Sequence, residues 1–192
     1  MSFLIVRPYT PNTVHFIGPS THAARHCERI LRSLPRWFGI EASLLEYVAD
    51  SERFPTFFAV DVDPVAFLTV REHFAQSWEV HCIGVSALHR GKGIGRKLHE
   101  HVETWLKSRG AQVLQVKTLA PAHPSPEYAE TRQFYTALGY VPLEMFPALW
   151  GPQLPVLQLV KPLATFKQAD ESLIGERPEQ QCTAREMLNK SA

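Results

Sequence analysis

The feature that most restricts this chain is a change of residue pattern near its middle. Glu79 to Val85 is strand-forming, whereas from Ile94 onward Ile94, Leu98, Val102, Trp105 and Leu106 recur as one helical stripe that Gly110 stops. The junction reads Val85-Ser86-Ala87-Leu88-His89-Arg90-Gly91-Lys92-Gly93-Ile94-Gly95-Arg96-Lys97-Leu98. The first turn of a helix exposes unpaired N–H groups at the positive end of its macrodipole. Gly91, Gly93 and Gly95 let that backbone approach an anion with no Cβ in the way. Arg90, Lys92, Arg96 and Lys97 bring cations to the same place, so the junction reads as a phosphate cradle.

Two common phosphate loops do not fit it. A P-loop needs glycine where Ser86 stands and Ser or Thr where Gly93 follows Lys92. A dinucleotide fingerprint needs G-x-G-x-x-G, but glycine here returns one residue early and Leu98 follows, without an opening βαβ unit. The remaining pattern, (Gln/Arg)-x-x-Gly-x-(Gly/Ala), is filled by Arg90, Gly93 and Gly95.

The rest of the chain reads as a mixed α/β sheet flanked by helices. A strand is expected at Phe3 to Val6, followed by a connection punctuated by Pro8, Pro11 and Pro19. Ser20 or Thr21 is placed to cap a helix running to about Ser33, with Ala24, Cys27, Ile30, Leu31 and Leu34 on one face. A second helix, Glu41 to Ser51, is expected to bury Leu44, Leu45 and Val48. Thr56 to Val60, Val65 to Arg71 and Glu79 to Val85 form an antiparallel meander. The helix after Gly93 then leads to a strand at Val113 to Lys117, so one central pair is parallel. A helix at Glu127 to Leu138 and strands at Val141 to Phe146 and Val156 to Lys161 complete a domain of residues 1–162. Residues 163–192 read as a polar extension, with a modest helix at Glu179 to Leu188.

Composition removes several functions. A formal charge of +1 gives no electrostatic case for binding nucleic acid. Three cysteines without a CxxC pair fit a reducing compartment rather than a disulfide framework. The opening MSFLIVRPYT lacks a positive region before its apolar run and a small-residue cleavage site, and no stretch is long enough to span a membrane. The expected location is the cytoplasm. His22 and His26 lie one helical turn apart with no third ligand in view, and His99 and His101 fall on different helix faces, so no metal is expected. Cys82 reads as a buried strand residue rather than a nucleophile.

With the loop placed, residues 2 to 161 resemble the GNAT superfamily of N-acetyltransferases, whose pyrophosphate loop carries the pattern of Arg90, Gly93 and Gly95. The order of elements read above is that family's order. Arg132-Gln133-Phe134-Tyr135-Thr136-Ala137-Leu138-Gly139-Tyr140 also looks like its helix ending, in which a tyrosine precedes a Gly-aromatic pair. The chain departs from the family at Tyr128, where an asparagine often contacts the pantetheine, and at Thr131, whose hydroxyl is a candidate substitute.

The resemblance implies acetyl-CoA as cofactor, held by Arg90, Gly91, Lys92, Gly93, Ile94, Gly95 and Arg96, with the strand backbone at Ile83, Gly84 and Val85 along its pantetheine arm. An N–H near Gly84 or Val85 would polarise the thioester carbonyl, and glycine there fits a bulge, a close approach or mere tolerance. Glu79 occupies the strand position of a catalytic glutamate in many members, and His81, two residues on, shares its face. Either could take a proton from the ammonium, directly or through water. Tyr135 sits where the family's general acid protonates the leaving thiolate. The acceptor would be an amine of a small molecule or peptide, lodged among Trp37, Phe38, Phe146 and Trp150. A non-catalytic acyl-CoA-binding module of the same fold is the alternative, and either is compatible with a homodimer.

Overall fold

The computed structural model describes residues 14–20 and 22–164. One seven-stranded sheet has the order β1-β2-β3-β4-β5-β7-β6. The strands are β1 (His15–Ser20), β2 (Thr56–Val60), β3 (Pro64–Phe74), β4 (Ser77–Val85), β5 (Val113–Leu119), β6 (Val141–Phe146) and β7 (Val156–Pro162). The helices are α1 (Ala24–Arg32), α2 (Glu41–Arg53), α3 (Ile94–Ser108) and α4 (Pro126–Ala137). Only β4 and β5 pair in parallel; every other neighbouring pair is antiparallel.

Alternation along the inner strands divides the core in two. Phe57, Leu68 and Val70 face α3, where Leu98, Val102 and Leu106 meet them. Their neighbours Phe58 and Phe67 point the other way, onto Cys27, Ile30 and Leu31 of α1 and Leu44 of α2. Both faces of the sheet are therefore covered along β2, β3 and β4.

β4 changes sides partway. Its pairing with β3 runs Val70↔Val80 and then Thr69↔Cys82, so His81 is an extra residue, a β-bulge. Before it, Trp78 and Val80 belong to the α3 core; beyond it, Cys82 belongs to the α1/α2 core and Ile83 and Val85 pack toward α3. A bulge bends its strand. Pairing with β5 ends just before, at Glu79↔Gln115, although β4 runs on to Val85 and β5 to Leu119. The two strands thus form a wedge with free facing edges. α4 lies across its mouth: Trp37, between α1 and α2, bonds its first turn, and Arg96 of α3 donates to Ala137 O at its end, 3.2 Å.

The structure corrects several expectations. The first described strand is His15–Ser20, within the stretch read as a connection. Ser20 therefore ends a strand; α1 starts after Ala23 with no side-chain cap. Leu45, expected in the core, is 46% exposed, because α2 buries little more than Leu44, Asp50 and Ser51. Phe3 to Val6, Thr21 and Glu179 to Leu188 lie outside the described residues.

Candidate active site

The phosphate cradle forms from its sequence locally. A single 3-10 turn, Ala87–His89, follows β4. Gly91 and Gly93 then take φ of 74° and 76°, a region that costs any residue with a Cβ. Gly93 is the N-cap of α3 and supplies no side-chain cap. The first intrahelical bond is Lys97 N–H to Gly93 O, 3.1 Å, so the N–H groups of Ile94, Gly95 and Arg96 have no partner within the helix. A Cβ on Gly95 would stand 3.2 Å from Val85 Cγ2 and 3.5 Å from Phe134, so this glycine keeps the helix start close to β4 and α4. Lys92 and Lys97 are exposed beside it.

Arg90 points elsewhere. Its guanidinium stacks on Trp37, 4.1 Å from the ring centre, and pairs with Glu130 at 3.2 Å. Trp37 donates through Nε1 to Glu127 O and Thr131 Oγ1, both at 3.2 Å, and Tyr128 donates to Trp37 O at 3.1 Å. Thr131 spends its own proton on Glu127 O, 3.1 Å away. The cradle, the α1–α2 connection and the start of α4 are thereby linked by side chains.

In the wedge, Gly84 has a packing reason to be glycine. A Cβ there would meet Phe67 Cε1 at 2.8 Å and Ile30 Cγ2 at 3.1 Å. Of the three readings open for Gly84, close approach is what the structure shows, and the bulge falls at His81.

Glu79 and His81 lie on the sheet face opposite α3, whereas Tyr135 of α4 belongs to the α3-side core. Glu79 is 8% exposed and has both oxygens engaged: Lys117 Nζ donates to Oε1 at 3.0 Å and His73 Nε2 to Oε2 at 2.6 Å. Burial pushes its carboxyl up, but the bonds from Lys117 and His73 outweigh this and hold it below the usual carboxylate range. His81 places Nε2 2.8 Å from Asp50 Oδ2 and packs edge-on against Tyr47 and Phe54, each 5.4 Å away. Tyr135 is 3% exposed, its ring 5.2 Å from Tyr140. Burial pushes its phenol well above the usual value, helped by nearby Cys82, Tyr47 and Glu79. The hydroxyls of Tyr128 and Tyr140 are bonded to Trp37 O and His99, whereas that of Tyr135 has no partner among the described residues.

Sequence reading missed Asp50, His73 and Lys117. Each reaches the site from a different element, and none belongs to a local pattern. The aromatic acceptor group is spread out. Phe38 meets Tyr47 edge-on at 5.8 Å, whereas Phe146 ends β6 and Trp150 follows it, 41% exposed. A cleft of about 430 Å³ lies between His123, Pro124, Met145, Pro147 and Pro155, and none of Glu79, His81 or Tyr135 lines it.

The family model described as Acetyltransferase (GNAT) family matches residues 23–140, from α1 through the cradle to the end of α4. This chain is a GNAT-family acetyltransferase. No curated protein matches the sequence. Solved structures share the fold. A GNAT-family protein from Desulfovibrio desulfuricans superposes with a TM-score of 0.67 at 19% identity, covering 79% of this chain and all of that one (100%). The ribosomal-protein-S18-alanine N-acetyltransferase of Escherichia coli gives 0.64 at 18% identity, covering 81% and 97%. An aminoglycoside 6'-N-acetyltransferase complexed with coenzyme A gives 0.63 at 19% identity, covering 80% and 99%.

Acetyl-CoA is the cofactor of this GNAT family, and the chain has the features to take it. The uncapped N–H groups of Ile94, Gly95 and Arg96 suit a pyrophosphate, and the free edge of β4 beyond Glu79 suits an amide-bearing arm. No helix among the described residues is long and apolar enough to cross a membrane.

Proposed function

We propose that the protein is a cytoplasmic N-acetyltransferase that acts on a primary amine of a small molecule or peptide by direct attack in a ternary complex. The observation that carries this reading is the wedge between β4 and β5 opening beside the uncapped start of α3. A diphosphate and an extended arm need those two features side by side.

Acetyl-CoA brings an activated acyl group whose thioester the amine displaces. The N–H groups of Ile94, Gly95 and Arg96, with Lys92 and Lys97 around them, bind the diphosphate charge. The free edge of β4 along Ile83, Gly84 and Val85 orients the arm, and an N–H on that edge polarises the acyl carbonyl. Glu79 or His81, on the opposite face from α3, receives the proton of the acceptor ammonium, directly or through water. Tyr135 gives its proton to the departing sulfur. Because burial raises its phenol, Tyr135 stays protonated beyond pH ~10 and carries its proton at any working pH. Trp37 and Phe38 flank the acceptor on one side, with Phe146 and Trp150 on the other.

The reading is tested by free-thiol release from acetyl-CoA across polyamines, amino acids, aminoglycosides and peptide N-termini. Saturable release with one class supports it. Tight CoA binding with no release across the panel would instead make the chain a non-catalytic acyl-CoA-binding module.

A further inference from the structure

Two bases compete on the same sheet face, and their surroundings differ. Glu79 already accepts a bond at each oxygen, from Lys117 and from His73. Protonation there would weaken the bonds that Lys117 and His73 give to a buried carboxylate. His81 is engaged on one side only. Nε2 faces Asp50 Oδ2 at 2.8 Å, and no described residue makes a hydrogen bond to Nδ1.

We infer that Asp50 is a positioning residue for His81, and that His81, rather than Glu79, takes the proton from the incoming ammonium. The inference rests on the acyltransferase reading above and deepens it. A carboxylate accepts hydrogen bonds and donates none, so Asp50 holds the ring proton on Nε2 and leaves the lone pair on Nδ1. The ring cannot swing freely, because Tyr47 and Phe54 pack against it from α2 and the turn after it. The bulge puts His81 where β4 bends away from β5, at the opening of the wedge.

The charged neighbours are distributed asymmetrically. From α2 come Asp50 and Arg53, which donates to Asp50 Oδ1 at 3.4 Å. β3 contributes Arg71, stacked on Phe54, and His73; β4 contributes Glu79 and Cys82; β5 contributes Lys117. His73 and Lys117 both bond Glu79, and Asp50 is the carboxylate that touches His81 directly. In the step itself, one proton leaves the ammonium nitrogen for Nδ1, and the freed electron pair attacks the acyl carbon. The carbon–sulfur bond breaks as Tyr135 gives its proton to the sulfur, and the second proton shed by the new amide nitrogen returns to the Tyr135 oxygen through solvent. The imidazolium lies beside the Asp50 carboxylate until it releases the proton to solvent.

The test has two arms. In ¹⁵N-histidine NMR of the neutral ring, His81 should be the Nε2–H tautomer, and Asp50→Ala should turn it into a tautomer mixture. This arm needs no turnover. Turnover is then followed as thiol release with acetyl-CoA and kanamycin, spermidine or a peptide N-terminus, whichever the screen accepts. Asp50→Ala should lower kcat about ten- to a hundredfold with KM for acetyl-CoA nearly constant, and Asp50→Glu should recover part of the loss. His81→Gln should lower kcat by about 10²–10⁴, the range of general acid–base catalysis, and Glu79→Gln by less than about tenfold. Should Asp50→Ala not fold, Asp50→Asn keeps the volume and carries the same comparison. The inference is overturned by an Nδ1–H tautomer in the unaltered protein, or by Glu79→Gln costing more than His81→Gln. If no acceptor in the panel releases thiol, the acyltransferase reading fails, while the tautomer still decides whether Asp50 orients His81.

Discussion

Two buried polar clusters lie on opposite faces of the sheet. On the α3 side, His99 is fully buried, with Nε2 2.8 Å from the Tyr140 hydroxyl and Nδ1 3.1 Å from Glu103 Oε1. Lys161 of β7 also pairs with Glu103, and Lys107 approaches it at 3.8 Å. On the other face, Glu79 is as closely held, but beside it His81 makes no hydrogen bond through Nδ1 among the described residues. The first cluster ties α3 to β7 and to Tyr140 beyond α4, although His99 Nδ1 faces Glu103 without the geometry of a hydrogen bond. The second keeps unspent capacity where the sheet opens. Neither burial nor an unpaired nitrogen separates a brace from a reactive site; a place beside the open edge of β4 does.

The sharpest way to break this contrast is a pair of tyrosine variants. Tyr135→Phe should lower kcat by about 10²–10⁴ with little change in Tm, whereas Tyr140→Phe should spare turnover of the folded fraction and cost about 1–3 kcal/mol, since it strands His99. Steady-state kinetics and thermal melts on both decide it, and equal behaviour would erase the distinction.

Next in size is Glu103→Gln, which leaves Lys161 and His99 facing no anion and should destabilise by on the order of 3 kcal/mol. Burial pushes the Glu103 carboxyl up, but bonds from His99 and Lys161 dominate and bring it down to about 2. A carboxyl lowered in the folded state stabilises above its unfolded value and loses that contribution as pH falls. Denaturation midpoints should therefore drop between pH 4.5 and about 2 in the parent protein, and drop less in Glu103→Gln.

Gly84→Ala should cost about 1–3 kcal/mol, because its methyl would press on Phe67 at 2.8 Å. Gly93→Ala should cost less, about 1–2 kcal/mol, since no atom obstructs its Cβ and only the φ of 76° opposes it. Its signature is a KM for acetyl-CoA raised about tenfold, while Gly84→Ala acts mainly on Tm. Measuring both quantities for both variants separates cradle from core.

The parts legible in the sequence were those with a period. β6 falls at Val141–Phe146 as expected, α3 follows its apolar stripe, and Gly93 stands at the helix entry. β1 was illegible because it is an edge strand with mostly exposed side chains and a proline; it is held by pairing with β2, which residue type does not report. Leu45 was misassigned because a helical stripe does not say how much of it another layer will cover. At the site, Glu79, His81 and Tyr135 could be singled out from position along the chain. Asp50, His73 and Lys117 could not, since their roles arise only when α2, β3 and β5 are brought beside β4.

The extra residue at position 81 has a consequence for how such a cleft can be gained or lost. Removing His81 would restore an unbroken two-residue rhythm in β4, and Cys82, Ile83 and Gly84 would each trade faces. The strand could then lie flush with β5 to its end, giving a continuous sheet with no gap to receive a ligand.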